Sequence, residues 1–145
     1  MKKVLITGAG GYIGTELTEY LADKGYFIYA LDTFWFKNKI KKSKNIKIIK
    51  ADIRYLSQKG FPNNIDAVIH LAAISNDPSA EINPKLSWEV NVLGLLNILN
   101  LSKNNKVKKF IFASSGSVYG IKKEKKVTEK LSLVPISEYN KTKMV

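Results

Sequence analysis

The chain has 145 residues, 45% of them hydrophobic, and a formal net charge of +12, which is enough for one domain with its own core. It contains no cysteine and a single histidine, His70, so disulfides, thiol catalysis, and cysteine-built or multi-histidine metal centres are excluded. No apolar run approaches the roughly 20 residues that span a bilayer, and Met1-Lys2-Lys3 leads into a strand rather than a signal-peptide core, so a soluble, cytoplasmic protein without a membrane partner is expected.

In chain order, Lys3 to Thr7 reads as a first strand and Tyr12 to Lys24 as a helix, with Ile13, Leu17, Leu21 and Ala22 at spacings of three and four and Gly25 as its stop. Tyr26 to Asp32 is a second strand. Residues 33 to 45 form an irregular, lysine-rich connection that opens with Phe34-Trp35-Phe36, aromatics better suited to covering the sheet edge than to flanking a base. Ile46 to Ala51 is a third strand, followed by Asp52-Ile53-Arg54 and, after a turn at Gly60 to Asn64, by the continuous apolar run Asp66 to Leu71, which fits a buried parallel strand. Pro84 to Lys103 reads as one long helix, Lys108 to Ala113 as a fifth strand, and Ser137 to Val145 as a last helix N-capped by Ser137. Strands alternating with helices predict an α/β fold with a doubly wound parallel sheet, whose ligands bind beyond the carboxyl ends of the strands. The glycine turn, Asp32, Asp52, Ala72-Ala73 and Ser114-Ser115 all follow strands and therefore gather along one edge.

The organising stretch is Gly8-Ala9-Gly10-Gly11-Tyr12-Ile13-Gly14, at the junction of the first strand with the first helix. Unpaired N–H groups and the dipole at a helix start favour a phosphate there, and a Cβ at the glycines would obstruct its approach or the packing of helix on strand. Asp32, at the end of the second strand, is placed to accept hydrogen bonds from ribose hydroxyls and to repel a 2′-phosphate, which favours NAD over NADP. The positive charge comes from 23 lysines and one arginine, Arg54. Without arginine forks, a solvated lysine surface is a better reading than a nucleic-acid footprint.

Two later pieces carry chemistry. Tyr139 and Lys143 stand at i and i+4, on one helix face. A lysine ammonium one turn away is expected to lower the phenol's pKa from about 10, so that the pair can take a proton from an alcohol as hydride leaves its carbon. Ser114-Ser115-Gly116-Ser117, after the fifth strand, offers hydroxyls that can hold a substrate oxygen, or forms an ordinary Ser/Gly turn.

Together these motifs, with His70-Leu71-Ala72-Ala73, Asn91-Val92-Leu93-Gly94 and Asn97-Ile98-Leu99, resemble the N-terminal part of the extended short-chain dehydrogenases/reductases of the NAD-dependent sugar-nucleotide epimerase/dehydratase type. The resemblance runs from Met1 almost to Val145 and implies a Rossmann-type domain over residues 1–145. It implies that Gly8, Gly11, Tyr12, Ile13 and Gly14 hold the pyrophosphate of NAD, that Asp32 takes the adenosine ribose, and that Asp52 and Ile53 flank the adenine. Leu71, Ala72, Ala73 and Asn91 would line the path to the nicotinamide, Ser115 would be the catalytic hydroxyl, Tyr139 the acid/base and Lys143 its partner, both also touching the cofactor. His70 is expected as a packed strand residue and no metal is implied.

Dehydratases of this family carry an acidic pair after the catalytic hydroxyl; Gly116 and Ser117 stand there, so an epimerase or reductase acting on a nucleotide-sugar is the expectation. Ser75 to Ser79 departs from the epimerase pattern and leaves the sugar open. Family members continue well beyond the Tyr-Lys motif with a substrate domain and form homodimers through the last two helices. This implies a chain truncated just after that motif, whose final helix is too short to stand without packing, and which by itself binds NAD weakly, if at all, and turns over no nucleotide-sugar. The alternative is a catalytically silent dinucleotide-binding module or a truncated relic.

Overall fold

The computed structural model describes residues 1–145. Five strands, β1 (Lys3–Thr7), β2 (Phe27–Asp32), β3 (Ile46–Lys50), β4 (Ala67–His70) and β5 (Lys109–Phe112), form one parallel sheet in the order β3-β2-β1-β4-β5. The strand order reverses beside β1, so the crevice between the carboxyl ends of β1 and β4 is the expected ligand position. Within β1 the side chains alternate between faces. Val4 and Ile6 join Ile28, Ala30 and Ala22 of helix α1 (Tyr12–Asp23) in one core, whereas Leu5 joins Leu31, Val68, Ile98 and Leu101 in the other. Leu5 and Ile6 are fully buried, and each contributes about 2 kcal/mol by leaving water. No helix is long and apolar enough to cross a membrane.

The strands fall where the sequence places them, to within one or two residues. Two helical features differ. Asp77–Ile82 is a short helix, α2, that apolar periodicity does not reveal: Asn76 caps it by accepting from the Ser79 N–H at 3.0 Å, and Pro78 stands in its first turn. The expected single helix from Pro84 to Lys103 is instead three pieces: α3 (Pro84–Trp88), a π-helical turn (Glu89–Gly94) and α4 (Leu95–Asn104). The wide turn lets Gly94 lie against Ile53, whose Cδ1 would be 2.6 Å from a Cβ at that position. It also aims Asn91 inward, where the amide bonds the Ile74 N–H (2.7 Å), the Ile74 carbonyl (3.1 Å) and Thr142 Oγ1 (2.9 Å).

One helical turn later, Asn97 donates to the carbonyls of Ile53 (2.7 Å) and Leu56 (3.0 Å), pinning the segment after β3. Replacing Asn97 by Ala leaves two carbonyls without these donors, and urea unfolding is expected to show a loss of about 1–2 kcal/mol. An unchanged midpoint would mean that water replaces the amide at no cost.

The last helix, α5 (Glu138–Met144), is two turns long and is held by side chains rather than by its own length. Ser137 caps it and also donates to the Asp77 carboxylate; Glu138 accepts from Trp88 Nε1 at 2.9 Å; Asn140, Thr142 and Lys143 are buried. These contacts supply the packing that so short a helix needs.

Candidate active site

A cleft of about 530 Å³ opens at the carboxyl edge of the sheet. Its floor is the glycine turn. Gly8 sits at φ +74°, and a Cβ there would lie 2.5 Å from the Ala72 nitrogen; a Cβ at Gly14 would run into the Gly8 carbonyl oxygen. Helix and strand can meet this closely only without those side chains. Gly11 is the N-cap of α1 and offers no side-chain acceptor, so the first-turn N–H groups keep their capacity for an anion. Tyr12 and Ile13 line the same cleft and are 93% and 64% exposed.

Of the residues singled out in the sequence, Gly8, Gly11, Tyr12, Ile13, Gly14, Asp32, Asp52, Ile53, Leu71, Ala72, Ala73, Tyr139 and Lys143 line this one cleft. Asp32 faces the glycine turn; its carboxylate accepts from the Gly10 N–H at 3.0 Å and the Phe34 N–H at 2.7 Å. Asp52 is gripped by Arg54 through Nε (3.1 Å) and Nη2 (2.7 Å), and Arg54 also reaches Glu89 at 3.0 Å. Arg54 holds the Asp52 carboxyl below the usual carboxylate range. The lone arginine of the chain is therefore a structural clamp joining the segment after β3 to the π-turn.

Asn91 and Ser115 do not line the cleft. Asn91 is 2% exposed and braces α5 against the segment after β4, so it supports the wall of the cleft from behind. Ser115, N-cap of a 3₁₀ turn (Gly116–Tyr119), draws the Tyr139 phenol's pKa down, while its hydroxyl is hydrogen-bonded to Ser117 at 2.6 Å. Neighbouring Ser114 does line the cleft and donates to the Lys143 carbonyl at 3.2 Å.

All three aromatics of the run line the cleft, against the preference for a sheet-edge cover; Phe34 also packs on the core beside β2, whereas Trp35 and Phe36 remain exposed. Phe34 at φ +54° turns the chain so that its neighbours face outward. Ile74, Ser75 and Val90 also line the cleft; their signal in the sequence was only proximity to residues already singled out.

The expected electrostatic pairing of Tyr139 with Lys143 is not what the structure shows. Burial pushes the Tyr139 phenol above its ordinary value; Ser115 draws it down and the Asp77 carboxylate adds to the rise. Lys143 Nζ donates to the Ala113 carbonyl at 2.9 Å and lies 4.9 Å from the centre of the Phe112 ring. Burial lowers its pKa to about 8. The ammonium thus sits at the cleft wall and serves a carbonyl, one turn below the phenol. His70 is fully buried as expected: its Nδ1 is 2.9 Å from Thr7 Oγ1 and its Nε2 has no protein partner.

Four similarities bear on what the cleft is. The model of the NAD dependent epimerase/dehydratase family matches residues 4–145. The UDP-glucose 4-epimerase of Lactobacillus helveticus is 34% identical over 146 aligned residues, covering 99% of this chain and 44% of that protein. Among solved structures, the UDP-N-acetylglucosamine 4-epimerase of Methanobrevibacter ruminantium M1, in complex with UDP-N-acetylmuramic acid, superposes with a TM-score of 0.91 at 29% identity over 99% of this chain and 47% of that one. The UDP-glucose 4-epimerase of Bifidobacterium longum, in complex with NAD+ and UDP, gives a TM-score of 0.88 at 29% identity, covering 99% and 46%. The chain spans less than half the length of these relatives.

Proposed function

The chain belongs to the NAD-dependent epimerase/dehydratase family, and from that premise we propose that it is the NAD-binding part of a cytoplasmic nucleotide-sugar 4-epimerase whose reactive groups are Ser115, Tyr139 and Lys143. The observation that carries this reading is that the glycine turn, Asp32, Tyr139 and Lys143 line one cleft, although 131 positions separate Gly8 from Tyr139. The cleft fits a dinucleotide. Gly8 and Gly14 leave room that a Cβ would fill, the uncapped start of α1 suits a pyrophosphate, and the Asp32 carboxylate beside it suits ribose hydroxyls.

When bound, NAD supplies a reversible hydride acceptor. The chain's own residues do the rest. Tyr139 Oη takes the proton of the sugar hydroxyl and returns it, Ser115 steadies the same oxygen, and the Lys143 ammonium holds positive charge one turn away. Gly116 and Ser117 offer no carboxylate for eliminating water, which favours an epimerase or reductase over a dehydratase. The similar proteins that act on UDP-sugars make a UDP-sugar the first substrate to try. Leu93, Leu96 and Leu99 remain 59%, 50% and 37% exposed, and we assign this face to pairing with a second copy.

A second reading is a dinucleotide-binding module without turnover. It is favoured by the raised phenol of Tyr139 and by the commitment of Lys143 to the Ala113 carbonyl. Both readings require NAD to bind, and calorimetric titration of the natural gene product is the first test. In it, Asp32→Asn is expected to weaken NAD about tenfold by replacing charge-assisted hydrogen bonds with neutral ones, and to lessen the discrimination against NADP. Failure of the unaltered gene product to bind NAD would overturn both readings; equal affinity in the variant would remove Asp32 from the site.

A further inference from the structure

Beside the cleft, three side chains form a continuous hydrogen-bonded line. Ser115 Oγ is 2.6 Å from Ser117 Oγ, and Ser117 Oγ is 2.5 Å from Asn140 Oδ1. Asn140 is buried at the first turn of α5, its own N–H directed to Ser137 Oγ at 3.2 Å. The direction of the line follows from counting protons. An amide oxygen only accepts, so Ser117 spends its single hydroxyl proton on Asn140. The short contact between the two serines must then be donated by Ser115. The Ser117 N–H closes the arrangement by donating back to Ser115 Oγ at 3.2 Å. Ser115 in turn acts on the Tyr139 phenol, drawing its pKa down, and both Ser115 and Asn140, the residue next to Tyr139, are held by Ser117.

We propose that Ser117 and Asn140 are positioning residues, forming a hydroxyl–amide relay that fixes Ser115 at Tyr139 and sets which way its proton points. This rests on the reading of Tyr139 as the acid/base. With the phenol protonated, Tyr139 donates to Ser115, Ser115 to Ser117, and Ser117 to Asn140 Oδ1. Once Tyr139 has given its proton to the sugar oxygen, the phenolate needs a donor. Turning the Asn140 amide presents Nδ2 to Ser117, and each hydroxyl rotates about its C–O bond, so Ser117 donates to Ser115 and Ser115 to the phenolate. Every group in the relay keeps its own protons; no bond to hydrogen breaks except the one exchanged between Tyr139 and the sugar. An amide closes the line in both directions with no change of charge, whereas a carboxylate could close only the first. A polarised chain of this kind holds the phenolate more firmly than one free hydroxyl.

The charge that acts on Tyr139 is Asp77 at the start of α2; Lys143, on α5 itself, is turned to the Ala113 carbonyl. Glu138 is paired with Lys141 at 2.6 Å, and the turn carrying Ser115 and Ser117 adds no charge. Substitutions at Ser117 or Asn140 by Ala or Thr leave all of these in place.

The test is titration of the Tyr139 ring by NMR in protein labelled at tyrosine Cζ, with Tyr139→Phe assigning the resonance. Ser117→Ala and, separately, Asn140→Ala are expected to raise the Tyr139 pKa by about one unit, while Ser117→Thr, which keeps the hydroxyl, restores the original value. A Tyr139 titration unmoved or lowered in Ser117→Ala, with an otherwise native spectrum, overturns the relay. Should Ser117→Ala not fold, the same criterion applies to Asn140→Ala. The two readings fail separately. If Tyr139→Phe keeps turnover while the relay variants shift the phenol, the acid/base assignment falls and the relay stands.

Discussion

In the natural gene product, Tyr139→Phe is expected to lower sugar-nucleotide turnover by about 10³-fold while leaving NAD affinity within about twofold, the scale of a lost general acid/base group. The substitution removes one oxygen and keeps the ring, so the packing of α5 on α2 and α3 is preserved. Its effect on binding is small because the phosphate cradle, from Gly8 to Gly14, and the Asp32 carboxylate lie on other elements. The pH dependence has a definite sign. Burial holds the phenol above its ordinary value, so the base form is scarce at neutrality and turnover of the unaltered protein should rise toward alkaline pH. Lys143, drawn down to about 8 by burial, loses its charge within the same range, and a rise that flattens or reverses above pH 8 would report it. Tyr139→Phe abolishes the rise. A variant with unaltered turnover and pH profile would show that the phenol takes no part in the reaction and that another group moves the proton.

How far the residues alone reveal this site depends on the kind of interaction. Backbone-level features are legible because they impose local rules. The parallel strands announce themselves as apolar runs, Gly8 and Asp32 as small or acidic residues at strand ends, and Gly14 as a glycine in the first turn of α1, where the close approach of helix to strand tolerates no Cβ. What is lost is set by tertiary partners. Nothing in Glu89-Val90-Asn91-Val92-Leu93-Gly94 marks a π-turn, because the widening is stabilised by Asn91 reaching Ile74 and Thr142 and by Gly94 meeting Ile53, residues remote in the chain. Helix α2 is hidden because a single turn beginning Asp77-Pro78 buries only Ala80 and so needs no apolar stripe. The spacing of Tyr139 and Lys143 does place both on the cleft, but it says nothing of Ala113, whose carbonyl claims the ammonium. Likewise Asp52 is readable as a strand-end carboxylate, yet its clamp by Arg54 and Glu89 depends on the π-turn and appears only in three dimensions.

His70 is expected to make the protein acid-sensitive in a window that carboxylates alone would not define. Its ring is fully buried between Thr7, Phe110 and Phe112. Burial, together with the nearby Lys143 charge, lowers its pKa from 6.5 to about 4. The unfolded chain therefore takes up a proton near pH 6.5 that the folded chain refuses until about pH 4, so the unfolded state binds more protons throughout that interval and stability falls as pH falls. From pH 7 to pH 4.5 the loss from this one group is about 2.5 kcal/mol, a large part of what holds a domain this size together. Urea unfolding of the unaltered protein and His70→Gln at both pH values isolates the effect, because every carboxylate titrates alike in the two. The variant is less stable at pH 7, having exchanged the Thr7 contact for a poorer one, but it should lose about 2.5 kcal/mol less on acidification. Parallel losses in the two proteins would mean that the folded state accepts the proton at His70. The Nε2 atom would then have found an acceptor, and the ring would no longer be the neutral floor on which Lys143 keeps its place beside Ala113.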